Sequence, residues 1–195
     1  TTAPFVSSFT LSDTKLKTGE TTVVTLVFSE AVASFSSTAD IVVTDGTLAA
    51  MTSNDNITWA GIFTPTANTQ DWYNIFILTG SYTDTVGNTG PVATTSSFMV
   101  DNINPFVSSF ALSSDTALKA GDTAEVTLVF SEAVASFSSD ADITADNGTL
   151  TAMTSDDTKT IWTGTFTPTA DTEGASNTLS LTANSYTDIV GNTGP

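Results

Sequence analysis

Hydrophobic and polar residues alternate along most of the chain with a period of two, the spacing that is typical of β-strands. In the run TTVVTLVFSE, for example, Val24, Leu26 and Phe28 lie on one side of an extended chain. Thr, Val, Ile and Phe are common in such runs, and Gly, Asn, Asp and Pro separate them. The pattern predicts an all-β fold.

The chain contains two copies of one sequence. TLVFSEAVASFSS begins at Thr25 and begins again at Thr127, 102 residues later. Other matching segments are PFVSSF at Pro4 and Pro105, FTPTA at Phe63 and Phe166, and SYTD with VGNTGP at Ser81 and Ser185. Small changes in the offset place single-residue insertions between the apolar runs, as expected for loops between strands. The repeat predicts two domains, residues 1–102 and 103–195.

The second copy stops at Pro195, which matches Pro91 of the first. It therefore has no segment that corresponds to residues 92–102, and we expect the second domain to lack its last strand. An exposed sheet edge can pair with another chain. We accordingly expect either a shortened sheet or a possible edge-strand contact with another chain.

Seven short strands in about 100 residues indicate an immunoglobulin-like β-sandwich, so the fold class is two tandem sandwiches of this kind. In the first domain we place them near Val6–Ser12, Thr21–Ser29, Asp40–Thr44, Thr47–Thr52, Ile57–Thr64, Tyr73–Tyr82 and Thr94–Val100. Val23 in the first copy is replaced by Glu125 in the second, so this face of the sheet should be wet. Asp45-Gly46 and Asn147-Gly148 are typical of hairpins with positive φ.

Charge excludes two classes of partner. The chain has 21 acidic and 4 basic residues, a net charge of −17, and no Arg. Because binding to nucleic acid or to an anionic membrane surface begins with neutralising phosphates, neither is an expected partner. No apolar run approaches the roughly 18 residues of a membrane span, so we expect no membrane insertion. The chain opens at Thr1 without an initiator Met or a signal peptide, and we expect a piece of a longer secreted protein.

Most enzyme chemistry is also excluded. The chain has no His and no Cys, which rules out Ser-His-Asp triads, Cys-His pairs and histidine or thiolate metal sites. A glycosidase needs only two carboxylates, but the acids here lie in turns of a repeated module. We expect a non-enzymatic protein.

The motifs resemble those of bacterial Ig-like domains, which form long arrays in large adhesins and biofilm-associated surface proteins of Gram-negative bacteria. The resemblance rests on LKxGxT at Leu16 and Leu118, VTLVFSEAV, and TDxVGNTG near the end of each repeat. It implies a spacer that extends an adhesin from the bacterial cell surface, with neighbouring repeats of the same chain as partners. It also implies Ca²⁺ that stiffens the junctions, as in cadherins.

Strand alternation should gather one set of oxygen-bearing side chains at one end of each sandwich. In the first domain the set includes Glu30, Asp55, Asp84 and Asn88, and in the second Glu132, Asp157, Asp188 and Asn192. With Asp101 and Asn102 of the linker, the second set could supply part of the 6–8 oxygens that Ca²⁺ requires. An alternative is that the acidic loops are solvated, with Asp84 and Asp188 capping their turns.

Three aromatic positions suggest either packing or binding. Trp59 and Trp162 match each other, as do Tyr82 and Tyr186, and all four are expected in the cores. Trp72 has Ala175 as its counterpart, and we place it on a loop where it could stack on a sugar or pack between domains. Trp72 is therefore the candidate residue for the alternative functions, a glycan- or protein-binding module of a surface protein or an accessory module of a secreted hydrolase.

Overall fold

A computed structural model describes residues 2–113, 117–171, 173 and 177–195. The chain divides into two compact units, Thr1–Ile103 and Asn104–Pro195, one residue beyond the boundary expected from the repeat. Ala175, the counterpart of Trp72, lies outside the described residues. In the described part of the chain, no helix has the length and apolar character needed to cross a bilayer.

In the described residues, unit 1 contains ten strands and one helical turn. They are β1 (Val6–Leu11), β2 (Lys15–Leu16), β3 (Thr22–Phe28), α1 (Ser37–Asp40), β4 (Ile41–Val42), β5 (Gly46–Leu48), β6 (Thr58–Pro65), β7 (Gln70–Tyr73), β8 (Phe76–Ile77), β9 (Ala93–Thr94) and β10 (Phe98–Asp101). The largest sheet has the order β1-β3-β6-β5, and two further sheets have the orders β2-β10-β7 and β4-β8-β9. The core lies between the large sheet and the two smaller ones.

Unit 2 repeats the large sheet. Its elements are β11 (Val107–Leu112), β12 (Ala124–Phe130), α2 (Ser139–Asp142), β13 (Ile143–Ala145), β14 (Gly148–Leu150), β15 (Thr154–Ser155), β16 (Ile161–Pro168) and β17 (Leu179–Leu181). One sheet has the order β11-β12-β16-β14, with β15 also paired to β16, and the second contains β13 and β17. Within the described residues, no strand of unit 2 corresponds to β2, β7, β9 or β10.

The alternation of β3 and β12 is confirmed. Val24, Leu26 and Phe28 are buried, whereas Val23 is 43% exposed and Glu125 is exposed. β1 and β6 pair antiparallel with β3 on its two sides, and β11 and β16 pair with β12 in the same way. The aromatic predictions also hold, because Tyr82 and Tyr186 are fully buried and Trp59 and Trp162 pack against the two cores.

Two predicted strands, Tyr73–Tyr82 and Thr94–Val100, are wrong as single strands. The first divides into β7 and β8, the second into β9 and β10, and the pieces belong to different sheets. At the division, Nδ2 of Asn74 donates to the carbonyl of Thr95 (2.9 Å), and the N–H of Ile75 donates to Oγ1 of Thr95 (3.0 Å). Side-chain bonds thus replace part of the ladder where the chain changes sheet.

Other predicted strand boundaries also differ from those in the structure. The start of the predicted strand Asp40–Thr44 is the end of α1, and the predicted strand Thr47–Thr52 ends at Leu48. Asp45 and Asn147 do have positive φ (47° and 50°), as their turn residues predicted. They do not form hairpins, however, because β4 pairs with β8 and β5 pairs with β6, and unit 2 has the same arrangement. These turns carry the chain from one sheet to the other.

Candidate functional site

The motif TDxVGNTG of unit 1 folds into a turn around one carboxylate. Oδ1 of Asp84 accepts the N–H groups of Val86 and Asn88, both at 2.9 Å, and Oδ2 accepts Nδ2 of Asn88 at 2.6 Å. Gly87 has φ of 95°, a conformation in which a side chain would be strained. The Asp, Gly and Asn of the motif are therefore explained by the turn itself.

Asp84 is buried but its turn favours the ionised form. Burial raises the energy of the charged carboxylate, but hydrogen bonds from Asn88, Val86 and Gly87 outweigh this effect and hold the pKa of Asp84 below its ordinary value of 3.8. The turn thus keeps a negative charge on a side chain with little exposure to solvent.

Unit 2 builds the same turn. Oδ1 of Asp188 accepts the N–H groups of Val190 (2.8 Å), Gly191 (2.6 Å) and Asn192 (2.9 Å), and Oδ2 accepts Nδ2 of Asn192 (2.6 Å). Asp188 and Asn192 are both buried. The turn-capping hypothesis for both Asp residues agrees with these bonds, although the carboxylates are buried rather than solvated.

Glu132 lies next to this turn in unit 2. Val134 and Asp188 form an antiparallel bridge, and the N–H of Ala135 donates to the carbonyl of Thr187 at 2.8 Å. One carboxylate oxygen of Glu132 lies within 4.8 Å of one of Asp188. Two negatively charged carboxylates therefore lie close together at this end of unit 2.

The entry of the chain into unit 2 is fixed beside Glu132. Phe106 and Ser131 exchange two hydrogen bonds, from the N–H of Ser131 to the carbonyl of Phe106 (2.8 Å) and from the N–H of Phe106 to Oγ of Ser131 (2.9 Å). Unit 1 has the same frame, with Phe5 bonded to Ser29 and Val32 bridged to Asp84. Glu30 is thus placed beside Asp84 as Glu132 is beside Asp188.

A third acidic loop reaches the same end of each unit. In unit 1 the N–H groups of Thr58 (2.8 Å) and Ile57 (2.9 Å) donate to Oδ1 of Asp55 and lower its pKa. The N–H of Val32 donates to the carbonyl of Asn56, which joins this loop to the one that carries Glu30.

The equivalent carboxylate of unit 2 is Asp156, and the expected Asp157 is wrong. Oδ1 of Asp156 accepts the N–H groups of Thr160 (3.1 Å) and Ile161 (3.2 Å). Its bond from the Thr158 hydroxyl, followed by these backbone bonds, lowers the pKa of Asp156 despite opposing burial. One inserted residue before Trp162 shifts the position of the loop carboxylate.

Asp101 and Asn102 belong to unit 1 rather than to an open linker. Asp101 is the last residue of β10, is fully buried, and accepts Nε2 of Gln70 at 2.9 Å. The side chain of Asn102 accepts the N–H of Thr69 (2.6 Å) and donates to the carbonyl of Thr66 (2.7 Å). Both side chains are held in fixed positions at the end of unit 1, and sequence reasoning missed the part played by Gln70.

Trp72 lies on a strand, not on the expected loop. It is the third residue of β7, pairs with Met99 of β10, and is 59% exposed. A wide aromatic surface therefore faces solvent on unit 1.

The donor set at the described end of unit 2 is chemically suited to a hard cation. Carboxylate and amide oxygens are the ligands that Ca²⁺ prefers, and the chain offers no His or Cys. Oδ1 of Asp188 accepts three backbone N–H groups, whereas Oδ2 accepts one bond, from Nδ2 of Asn192. Two carboxylates supply only part of a coordination shell of 6–8 oxygens, so a complete site needs further ligands.

Comparison with known proteins identifies each repeat. Residues 1–100 and 101–195 each match the family model described as bacterial Ig-like domain. A search of curated proteins finds no match to the chain.

Several solved structures match the chain at low sequence identity and with TM-scores below 0.5. The adhesin FdeC of Escherichia coli matches at 11% identity and a TM-score of 0.47, covering 92% of this chain and 63% of that one. A tandem of titin Ig domains matches at 11% identity and a TM-score of 0.33, covering 92% and 94%. An endo-fucoidan hydrolase of glycoside hydrolase family 107 matches at 18% identity and a TM-score of 0.30, covering 85% and 24%. The chain thus spans less than two thirds of the adhesin.

Proposed function

Because the chain belongs to the bacterial Ig-like domain family, with one domain in each half, we propose that it is a spacer segment of a bacterial cell-surface adhesin. Its partners in this role are neighbouring repeats of the same chain. The segment extends the adhesin from the cell and carries tension, and it takes no part in catalysis.

The observation that carries this proposal is the symmetry of the acidic ends. Both units place a Glu beside a buried Asp whose turn is closed by an Asn. A spacer uses the same structural device in each repeat, whereas a site for a soluble ligand needs to occur only once. Duplication of the whole arrangement, Glu30 with Asp84 and Glu132 with Asp188, favours a structural role.

We further propose that Ca²⁺ rigidifies the junction between the two domains, with Asp101, Asn102, Glu132, Asp188 and Asn192 as the ligand set. The short stretch of chain between Asp101 and the start of unit 2 supports this assignment. Asn104, the first residue of unit 2, follows Asp101 by three residues, so their Cα atoms are at most about 11 Å apart. Because Phe106 is bonded to Ser131, the chain enters unit 2 directly beside Glu132. Glu30, Asp84 and Asn88 would serve a preceding domain in the same way.

A bound cation would stabilise the folded state through mass action. An ion bound only by the folded state stabilises that state by RT ln(1 + [L]/Kd), about 2.7 kcal/mol at a hundred times Kd. Coordination of the ion by side chains of both domains would also restrict bending at the junction. The chain's own contribution is to fix its carboxylates: Asn192 holds Asp188 in its turn, and Gln70 holds Asp101 at the end of β10.

The test is thermal unfolding and small-angle X-ray scattering of the 195-residue chain in EDTA and in millimolar Ca²⁺. We expect Ca²⁺ to raise the unfolding temperature and to increase the maximum dimension of the particle. Because the net charge is −17, any cation will reduce repulsion. NaCl at matched ionic strength is therefore the essential control, and its effect must be smaller.

Glu132→Gln and Glu30→Gln form a matched pair. Both remove one carboxylate at equivalent positions, but only Glu132 lies where the chain enters unit 2 from unit 1. Glu132→Gln should abolish the Ca²⁺-specific rise, and Glu30→Gln should leave it intact. An equal loss in both variants, or no Ca²⁺-specific effect in the parent chain, would refute the junction site.

Trp72 supports the second candidate function, a glycan- or protein-binding module of a surface protein or an accessory module of a secreted hydrolase. It is the one described position where a Trp with 59% exposure stands without a Trp counterpart in the other repeat. Sugars stack on exposed aromatic rings. A glycan array probed with the parent chain and with Trp72→Ala tests this function: binding that disappears in the variant would favour it over the spacer.

A further inference from the structure

The outer face of the sheet β4-β8-β9 in unit 1 is apolar. Successive residues of a strand point to opposite faces, and in β8 Ile77 is fully buried whereas Phe76 is 42% exposed. Val42 of β4 pairs with Phe76 and is equally exposed. Leu78, the next outward residue after Phe76, is 44% exposed. Three large apolar side chains therefore stand side by side in solvent.

Val92 extends this surface on the side of β9. Its N–H donates to Oγ1 of Thr79 (3.1 Å), which holds it beside the turn that follows Leu78, and its side chain is 58% exposed. We call Val42, Phe76, Leu78 and Val92 the apolar face of unit 1. Single exposed apolar residues are common on proteins, but a contiguous group of them is typical of an interaction site.

Unit 2 carries polar side chains at the positions that match the apolar face. Its strands β13 and β17 pair in the same register as β4 and β8. The residues that replace Val42, Phe76 and Leu78 are Thr144, Ser180 and Thr182, all of them exposed. Because the same sheet forms with polar residues in unit 2, the fold itself does not require the apolar side chains of unit 1.

The sequence around the apolar face is acidic and has no basic residue. Asp40 and Asp45 flank β4, and residues 18–118 contain no Lys or Arg. Burial, and after it the hydrogen bond and charge of Asp45 and the charge of Asp71, raise the pKa of Tyr73 just before β8. An apolar occupant with basic side chains at its margin therefore complements this surface.

A second copy of the chain complements the apolar face less well. Each copy has a net charge of −17, so two such faces would bring like charges together. Stable protein interfaces also bury about 800 Å² on each partner, and four side chains that are about half exposed supply only part of this area. A short cationic segment meets neither obstacle.

We propose that the apolar face of unit 1 docks a cationic amphipathic segment of a partner protein. The apolar side chains of the segment pack on Phe76 and Leu78, and its basic side chains lie near Asp40 and Asp45. Unit 2 lacks the apolar half of this surface and does not bind the segment. The inference goes beyond the spacer function and depends neither on calcium nor on Trp72.

The test is binding of a labelled synthetic amphipathic peptide of leucine and lysine to the 195-residue chain in EDTA, followed by fluorescence anisotropy. The triple variant Val42→Thr, Phe76→Ser and Leu78→Thr carries the residues of unit 2 and keeps the net charge. We expect it to bind at least about tenfold more weakly, because burial of the Phe and Leu side chains is lost. Unchanged amide exchange in β3 shows that the variant is folded.

The reverse substitutions test the same surface by gain of binding. Thr144→Val, Ser180→Phe and Thr182→Leu transfer the apolar side chains to unit 2, where Asp142 and Asp146 flank β13. We expect this variant to bind a second equivalent of the peptide. A peptide with glutamate in place of lysine should bind the parent chain at least about tenfold more weakly than the lysine peptide.

Four outcomes would overturn the proposal. Equal binding of the lysine peptide by the parent chain and the triple variant would mean that net charge alone attracts it. Equal binding of the glutamate peptide would remove the preference for a cation. No binding to the parent chain, or no second equivalent after the transfer to unit 2, would mean that these side chains do not form a site. Dimers of the parent chain that the triple variant does not form in sedimentation would make a second copy the occupant, which also contradicts the proposal.

Discussion

At the scale of single residues, two of the described glycines pack directly against a tyrosine ring. A Cβ added at Gly90 would lie 2.0 Å from Cε2 of Tyr82, and one added at Gly194 would lie 2.1 Å from the same atom of Tyr186. The Tyr82 ring cannot move aside easily, because it packs on Phe28 with 4.7 Å between centroids and its hydroxyl donates to the carbonyl of Pro91 (2.9 Å). Each unit therefore contains a glycine that is needed because a buried tyrosine ring packs directly against it.

We predict that Gly90→Ala destabilises unit 1 by about 1–3 kcal/mol, the usual effect of overpacking a core. Chemical denaturation followed by hydrogen exchange would measure it, because exchange assigns the loss to one unit. Gly194→Ala is the control, and it should weaken unit 2 while leaving unit 1 unchanged. Wild-type stability in Gly90→Ala would show that the ring yields without penalty.

The pKa of Asp84 gives a second prediction at this scale. Because the folded-state pKa lies below the ordinary value of 3.8, the unfolded chain binds more protons between the two values. The carboxylate therefore stabilises the fold above the unfolded pKa, and this contribution is lost as the pH falls through the folded pKa. Asp84→Asn keeps one acceptor oxygen but places an NH₂ group opposite Nδ2 of Asn88.

We predict that Asp84→Asn lowers the unfolding temperature at neutral pH and that its difference from wild type shrinks as the pH falls below about 4. Unfolding temperatures measured between neutral and acidic pH would test this. Asp140→Asn removes an exposed carboxylate of α2 and corrects for the change in net charge. A difference that stays constant over the whole pH range would mean that ionised Asp84 does not stabilise its turn.

At the scale of secondary structure, periodicity identified the strands but could not assign them to sheets. The run of β3 was predictable because each buried residue on one face is apolar in both repeats. The division between β7 and β8 was not, because it depends on bonds from Asn74 and Ile75 to Thr95, twenty or more residues away. The short β2 exists only because β10 pairs with it, and two residues carry no period of their own.

The candidate site, too, could be predicted from the sequence only in part. The repeated TDxVGNTG motif pointed correctly to a structured turn, since Asp, Gly and Asn each have a local reason to be there. The choice between Asp156 and Asp157 could not be made, because an inserted residue changes which carboxylate meets the N–H groups of Thr160 and Ile161. The bond between Gln70 and Asp101 joins two strands that are far apart in sequence, and no spacing indicates it.

β10 contributes fully buried side chains to the core of unit 1. Phe98 is fully buried between the rings of Phe63 and Tyr73. We predict that Phe98→Ala destabilises unit 1 by about 3–5 kcal/mol, because it removes a buried ring and leaves a cavity. Denaturation curves with hydrogen exchange at β2 and β7 would show the loss.

Met99→Ala is the matched control for Phe98→Ala. Met99 is the next residue on the same strand, but its side chain is only partly buried because successive residues point to opposite faces. Its replacement should have less than half the effect. Equal effects of the two substitutions would mean that β10 stabilises unit 1 through its backbone bonds alone.

At the scale of the whole molecule, the two repeats have similar sequences but unequal cores. The core of unit 1 includes Phe98, Val100, Ile75 and Ile77, all essentially inaccessible to solvent. The described core of unit 2 has no residues that match Phe98 and Val100, and its Leu179 and Leu181 are only partly buried. Since burial of apolar surface is the main stabilising contribution, unit 2 should be the less stable of the two.

We predict that calorimetry of the 195-residue chain in EDTA resolves two transitions, with unit 2 unfolding first. Chelation matters here because an ion bound by both domains would couple their unfolding. The assignment can be made by substitution: Gly194→Ala should lower only the first transition, and Phe98→Ala should lower only the second. A single transition whose calorimetric and van't Hoff enthalpies agree would show that the units unfold together. Two transitions that respond to the opposite variants would instead make unit 1 the weaker domain, and the difference in core burial would then not decide which unit unfolds first.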